Sequence, residues 1–272
     1  MKLPLAPALA ILGAASAFGQ FAPPNDAGVA LGHIHLFVKD VAAQQRFFTQ
    51  EMGGTALNNP VNPTVQFPGV WIMFRQAETS GPPEGSMVNH FGFVYKDLPA
   101  MIAKWKAAGV EIVQNSPNPL QGYVVAPDGV RIEVFGDPSI PVPVRMDHIH
   151  IYTNDVSGMQ AWYAKVFGAP PGKRPRVSRP GWTDCVFLPG NINLSFQPDD
   201  KKLAPTKGRS LDHIGFEVKN LEAFAKKLEA QGIKLDVPVR QANPTTKNAF
   251  LTDPWGIYIE LTDHSSVPGP AE

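Results

Sequence analysis

One short pattern recurs four times along this chain, and a chain built that way is confined to repeated or duplicated architectures. His33-Ile34-His35-Leu36 returns as His148-Ile149-His150-Ile151, and Asp40-Val41 and Asp155-Val156 follow at the same distance. The aromatic pairs Phe47-Phe48 and Trp162-Tyr163 and the glycines Gly53 and Gly168 keep that offset. A second pair of segments matches at its own constant offset. His90-Phe91-Gly92-Phe93 returns as His213-Ile214-Gly215-Phe216, aligning Leu98 with Leu221, Lys104 with Lys227 and Gly109 with Gly232. The ends agree as well: Pro127-Asp128-Gly129 leads into Arg131-Ile132-Glu133, and Asp253-Pro254-Trp255-Gly256 into Tyr258-Ile259-Glu260.

Each unit opens with a segment rich in β-branched and aromatic residues, starting at His33, His90, His148 or His213, which reads as a strand. A helical stretch follows. In 221–231 the apolar stripe Leu221, Phe224, Ala225, Leu228 has i, i+3, i+4, i+7 spacing, and Gly232 ends it. Two or three further strands close the unit, the last preceded by a Pro-Asp-Gly or Asp-Pro-Trp-Gly turn. The expected fold class is α+β: four βαβββ modules in two pairs, each pair a curled, half-open mixed sheet with helices outside. The Pro-rich segment 137–145 reads as a linker between an N-terminal pair, 31–136, and a C-terminal pair, 146–264. Segments 170–180 and 197–209 read as surface loops.

Before the repeats, Met1-Lys2 precedes an apolar run to about Ala17 that ends in Ala15-Ser16-Ala17, a small-x-small cleavage pattern. Residues 1–17 read as a secretory signal peptide, too short for the roughly 20 residues that span a bilayer. The expected location is therefore periplasmic or secreted, without membrane association after cleavage. Lys plus Arg equals Asp plus Glu at 24 each, a balance that excludes the basic bias of a nucleic-acid binder. A single cysteine, Cys185, excludes disulfide scaffolds and thiolate metal clusters, and with no motif around it reads as a packed small residue.

All but one of the seven histidines lie on the four first strands. Side chains alternate along a strand, so His33 and His35 share a face while Ile34 and Leu36 take the other. On that parity one cleft receives His33, His35, Phe37, His90, Arg131, Glu133 and Phe135. The other receives His148, His150, Tyr152, His213, Glu217, Tyr258 and Glu260.

With these residues in place, the chain resembles the vicinal oxygen chelate superfamily of glyoxalases, bleomycin-resistance proteins and ring-cleaving extradiol dioxygenases, over about residues 31–264. The resemblance implies a divalent metal in the cleft of a module pair, held by first-strand histidines and a last-strand glutamate. Carried over by position, it offers His148, His213 and Glu260 as the first choice and His33, His90 and Glu133 as the second. Two imidazoles and one carboxylate leave three positions open, the arrangement of non-haem Fe(II) sites. Fe(II) is favoured accordingly, with Mn or Zn as alternatives. A glyoxalase-like site takes a fourth protein ligand, and the alignment puts Met73 and Ser195 there. Phe250 stands where ring-cleaving members carry a tyrosine, whereas Tyr123 matches that position in the N-terminal pair.

His150 and Tyr258 are the candidates for proton transfer, and Arg131, Tyr152 and Glu217 for substrate binding. Arg131, two residues before Glu133, could pair with that carboxylate or bind an anion. The implied function is an exported metal-dependent enzyme, dioxygenase-like or a lyase or isomerase, acting on a small substrate with vicinal oxygens, catechol-like among others. The alternative is a metal-free small-molecule binding protein of the bleomycin-resistance type. Substrate, metal and oligomeric state stay open.

Overall fold

A computed structural model describes residues 21–59, 62–113, 116, 118–175 and 184–264, so the expected signal peptide lies outside the described residues. Each unit is β-α-β-β-β. The first comprises β1 (Val29–Val38), α1 (Val41–Arg46) with a π-helical turn (Phe47–Glu51), β2 (Thr55–Leu57), β3 (Thr64–Phe67) and β4 (Val70–Gln76). The second comprises β5 (Val88–Tyr95), α2 (Leu98–Ala107), β6 (Ile112–Val113), β7 (Gln121–Val125) and β8 (Arg131–Gly136). The third has β9 (Val144–Thr153), α3 (Val156–Phe167), β10 (Pro171–Lys173), β11 (Asp184–Leu188) and β12 (Ile192–Pro198). The fourth has β13 (Leu211–Val218), α4 (Leu221–Ala230), β14 (Val237–Asn243), β15 (Thr246–Thr252) and β16 (Tyr258–Asp263).

The recurring polar residue after each first strand is a helix N-cap. Asp40, Asp97, Asp155 and Asn220 each accept from the backbone N–H three residues on, at 2.9 to 3.1 Å, a contact that stabilises a helix by about 1 kcal/mol. α3 stops at Gly168, whose φ of 65° suits a residue without Cβ.

Two eight-stranded mixed sheets result, and their composition corrects the expected pairing. One runs β14-β15-β16-β13-β1-β4-β3-β2 and joins the first unit to the fourth; the other runs β10-β11-β12-β9-β5-β8-β7-β6 and joins the second to the third. The units pair 1 with 4 and 2 with 3, rather than as an N-terminal and a C-terminal pair. The connections explain why. β8 and β9 both flank β5, two strand spacings apart, about 10 Å, so the short 137–143 stretch only crosses one strand of a single sheet.

The chain passes between sheets in the longer segments 77–87 and 199–210. These lie against each other, Met87 N donating to Ala204 O at 3.0 Å and Ser80 N to Gly208 O at 2.8 Å. The surface loop expected over 197–209 begins within β12, and from 199 on it is half of a paired crossover. Units 1 and 2, and units 3 and 4, meet instead through the core. Phe48 stacks on Phe91 and Phe67 packs on Phe93, with ring centroids 6.4 and 4.5 Å apart, while Phe167 of α3 stacks on Phe216 of β13 at 4.4 Å. One hydrophobic cluster draws on both sheets and on the helices, and each such fully buried aromatic contributes roughly 1.5–3 kcal/mol of transfer free energy. No helix among the described residues is long and apolar enough to cross a membrane.

Candidate metal centre

At the seam of the first sheet, β1 and β13 run antiparallel with His33 opposite Gly215 and His35 opposite His213. β16 lies parallel along the other side of β13 and sets Glu260 beside Gly215. Alternation puts all four side chains on one face, where one donor atom from each of His33, His35, His213 and Glu260 lies within 4.8 Å of the others. Nε2 of His33 and Nε2 of His213 each stand 3.0 Å from Glu260 Oε2.

The second sheet repeats the motif. β5 and β9 put Gly92 opposite His148 and His90 opposite His150, and β8 sets Glu133 beside Gly92. Nε2 of His90 and of His148 lie 3.2 and 3.0 Å from Glu133 Oε2. The glycine of each His-x-Gly-Phe motif makes room for an imidazole from the facing strand. A Cβ on Gly215 would come within 2.1 Å of the His33 ring, and one on Gly92 within 2.4 Å of the His148 ring.

Polar neighbours fix the outward side of His213, His90 and His148. His213 Nδ1 donates to Asp212 Oδ1 at 2.5 Å, His90 Nδ1 to Asn89 Oδ1 at 2.8 Å, and His148 Nδ1 to Asp147 Oδ2 at 3.1 Å. These oxygens only accept, so each Nδ1 carries a proton, and once the ring gives up any proton on Nε2 that lone pair faces the cluster. The carboxylates are held the same way. Asn248 Nδ2 donates to Glu260 Oε1 at 2.7 Å and Gln121 Nε2 to Glu133 Oε1 at 2.9 Å, leaving Oε2 of each acid facing the histidines. Arg240 Nε in turn donates to Asn248 Oδ1 at 3.1 Å.

Such donor sets fit a divalent metal. A proton can bridge only one of the two imidazole–carboxylate contacts, whereas a metal satisfies both nitrogens and the oxygen together. His35 Nε2 is buried without a hydrogen bond, and His148 Nε2, 3.0 Å from Glu133 Oε2, makes no well-aligned one. At the fourth-ligand positions Met73 lies opposite His35 and Ser195 opposite His150. A thioether is a poor ligand for a hard cation, so the first cluster offers three strong donors and His35 beside them.

Burial opposes the charge of Glu260 and Glu133, but the histidines facing them outweigh it and hold both carboxyls well below the usual carboxylate range. Burial also opposes a charged His213, and the Asp212 and Glu260 carboxylates override it, carrying the imidazole up to about 9. His35 goes the other way, pushed well below the usual histidine range by burial and then by His213 and His33. A proton on His213 competes with metal, so metal affinity should weaken about tenfold per pH unit below about 9, with one proton released per metal bound. Calorimetric titrations in buffers of different ionisation enthalpy check this. In the metal-free protein the raised pKa contributes stability that is fully present below the unfolded value of 6.5 and lost as pH climbs through about 9.

The first cluster sits between two cavities. One, of about 680 Å³, is lined by His35, His213, Glu260, Phe250, Tyr258 and three cations, Arg75, Lys207 and Arg240. The other, of about 450 Å³, is lined by His33, Met73, Trp71 and Asn59 among others.

The model of the Glyoxalase/Bleomycin resistance protein/Dioxygenase superfamily matches residues 30–134 and again 145–261. The chain belongs to this superfamily. Among solved structures, glyoxalase I from Zea mays superposes with a TM-score of 0.67 at 17% identity, covering 88% of this chain and 93% of that one. A putative dioxygenase from Bacillus subtilis superposes with a TM-score of 0.63 at 14% identity, covering 88% and 86%. At these identities the likeness is one of fold. No curated protein matches the chain.

Within this superfamily fold the expected ligand sets are exchanged. His213 and Glu260 meet His33, not His148, and His90 and Glu133 meet His148, not His33. The cause is the sheet pairing, since a cluster forms only where two first strands lie side by side. His150, expected beside His148, does lie there, but that is the second cluster; beside His213 and Glu260 the equivalent residue is His35. Tyr258 lines the larger cavity, stacked on Phe250 at 5.1 Å beneath the Lys207 ammonium.

Tyr152 packs beside His150, 5.3 Å between centroids, and so belongs to the second cluster. Arg131 does not pair with Glu133; its guanidinium lies over the Tyr123 ring at 4.5 Å. The guanidinium near Glu133 is that of Arg174, which no sequence motif marked. Glu217 shares the strand face of His213 but lies at the far end of β13, binding Thr262 Oγ1 and His264. Cys185 is buried and its thiol is pushed up to about 11 by burial, the state of an inert packed residue.

Proposed function

We propose that the chain is a divalent-metal enzyme that binds a small substrate through two neighbouring oxygens at His33, His213 and Glu260. The observation that carries this is the convergence of two imidazole nitrogens, Nε2 of His33 and of His213, on one carboxylate oxygen beside a cavity of about 680 Å³. A metal held there supplies Lewis acidity to the substrate oxygens and, if it is Fe(II), a place for O₂. Three strong donors with a thioether at the fourth position favour Fe(II), or Mn or Zn, over a four-ligand isomerase site.

The remaining roles fall to the chain itself. His35, neutral and with its Nε2 unpartnered, is placed to accept a hydrogen bond from a substrate hydroxyl. Burial raises the Tyr258 hydroxyl pKa, so it stays protonated and can donate. Phe250 and Tyr258 offer a flat apolar wall, and Arg75, Lys207 and Arg240 favour a substrate bearing a carboxylate or similar anion. We also propose export, on the strength of the apolar run and small-x-small pattern in residues 1–17.

The test is to recover the chain from its native compartment, determine metal identity and moles per chain, and titrate the loaded protein anaerobically with catechol and with 3,4-dihydroxybenzoate. Micromolar divalent metal and tighter binding of the carboxylated diphenol are expected. Absence of tight metal binding would overturn the enzyme reading in favour of metal-free small-molecule binding. Equal affinities would overturn only the anionic substrate class.

A further inference from the structure

The two ligand sets match in residue type and strand register, but the second holds a cation of its own. Arg174, one residue beyond β10, is only 8% exposed. Its Nη1 lies 3.4 Å from His150 Nε2 and its Nη2 3.9 Å from Glu133 Oε2. The hydrogen-bonded run from His90 Nε2 to His150 Nδ1, 3.1 Å long, therefore ends on a guanidinium. The matching run in the first cluster, His213 Nε2 to His35 Nδ1 at 3.2 Å, ends on a buried nitrogen with no partner.

Strand registers identify what stands in Arg174's place in the first cluster. Gly172 lies opposite Cys185, which lies opposite Ser195; Leu57 lies opposite Thr64, which lies opposite Met73. Ser195 and Met73 face His150 and His35, so Arg174 corresponds to Asn59, a neutral amide lining the 450 Å³ cavity. A guanidinium cannot shed its charge at any working pH. In a buried pocket it meets an incoming divalent cation with little screening, and it already answers the charge of Glu133. The cations near the first cluster, Arg75, Lys207 and Arg240, are exposed and screened by water.

We propose that Arg174 is the resident cation of the second cluster and closes it to metal, so that of two His-His-Glu sets only the first loads. This rests on the metal reading of the first cluster, and the test separates the two. Demetallated full-length chain is titrated with Mn²⁺ by calorimetry and by loss of the free-ion electron paramagnetic resonance signal, for wild type and for Arg174→Met, Arg174→Gln and Arg174→Lys. Circular dichroism melts establish that each is folded.

Wild type and Arg174→Lys should take one tight equivalent. Arg174→Met and Arg174→Gln should take two, the second at least about 100-fold tighter than any second event in wild type. Two comparable tight equivalents in wild type, or one in both neutral variants, overturns the proposal. If wild type takes none, the reading of the first cluster fails, and a gain of one equivalent in the neutral variants still supports the role of Arg174.

Discussion

Replacing His33 with alanine should abolish tight metal binding, just as His213→Ala and Glu260→Gln should, while His148→Ala and Glu133→Gln should leave it intact. Nε2 of His33 and of His213 share Glu260 Oε2 at 3.0 Å, whereas His148 stands in the other sheet against Glu133. Loss of a partner that merely orients a ligand costs about 10–100-fold in metal affinity, so loss of a ligand itself should exceed about 100-fold. Metal content after dialysis against a fixed free Mn²⁺ concentration reads this directly. His33→Ala with unchanged metal and His148→Ala without any would mean that the second cluster, built by units 2 and 3, is the working centre in place of the first. Activity should follow metal content, because His35 and Tyr258 have nothing to act on without a positioned substrate.

The two-sheet interleaving behind this prediction is the part of the architecture that motifs alone could not deliver. Units 1 and 3 carry His-x-His, and units 2 and 4 carry His-x-Gly-Phe with the closing glutamate. Either 1 with 2 or 1 with 4 therefore brings one His-x-His strand against one His-x-Gly-Phe strand, with identical parity and identical ligand types. The four βαβββ units, the shared face of His33 and His35, and the superfamily resemblance were all legible, because they depend on local periodicity and repeats. The choice of partner depended on the length of the connections. The Pro-rich 137–143 stretch looks like a domain boundary, yet its shortness confines β8 and β9 to one sheet.

Strand parity likewise said that Arg131 and Glu217 share faces with ligands, but not which partner each finds: Arg131 lies over Tyr123, whose ring packs on His90, and Glu217 binds His264 away from the first cluster. Arg174 lies in the Pro-Gly-Lys-Arg-Pro stretch 171–175, where nothing local distinguishes it from a surface arginine. Only the tertiary placement of β10 brings it to Glu133.

Gly215→Ala should cost as much metal affinity as the loss of a ligand, although glycine has no side chain to bind anything. Gly215 lies directly opposite His33 in the β1–β13 ladder, and the His33 imidazole occupies the space a Cβ would fill, with ring atoms 2.1, 2.2 and 2.5 Å from it. The backbone there is strand, so alanine meets no conformational penalty and the whole effect is steric. The ring cannot slide along the strand without losing Glu260, and it cannot turn into the core because Ile34 and Leu36 take the opposite face. His33 must leave its rotamer, and overpacking of this kind typically costs about 1–3 kcal/mol in stability.

The expected result is a folded protein with a lowered denaturation midpoint and metal affinity down by at least about 100-fold, a threshold set by the 10–100-fold cost of losing an orienting partner. Gly92→Ala makes the matched comparison: it crowds His148 in the second cluster, within 2.4 Å, so it should lower stability similarly and leave Mn²⁺ binding unchanged. Equal loss of metal in both variants would show that the glycines support the sheets rather than the ligands.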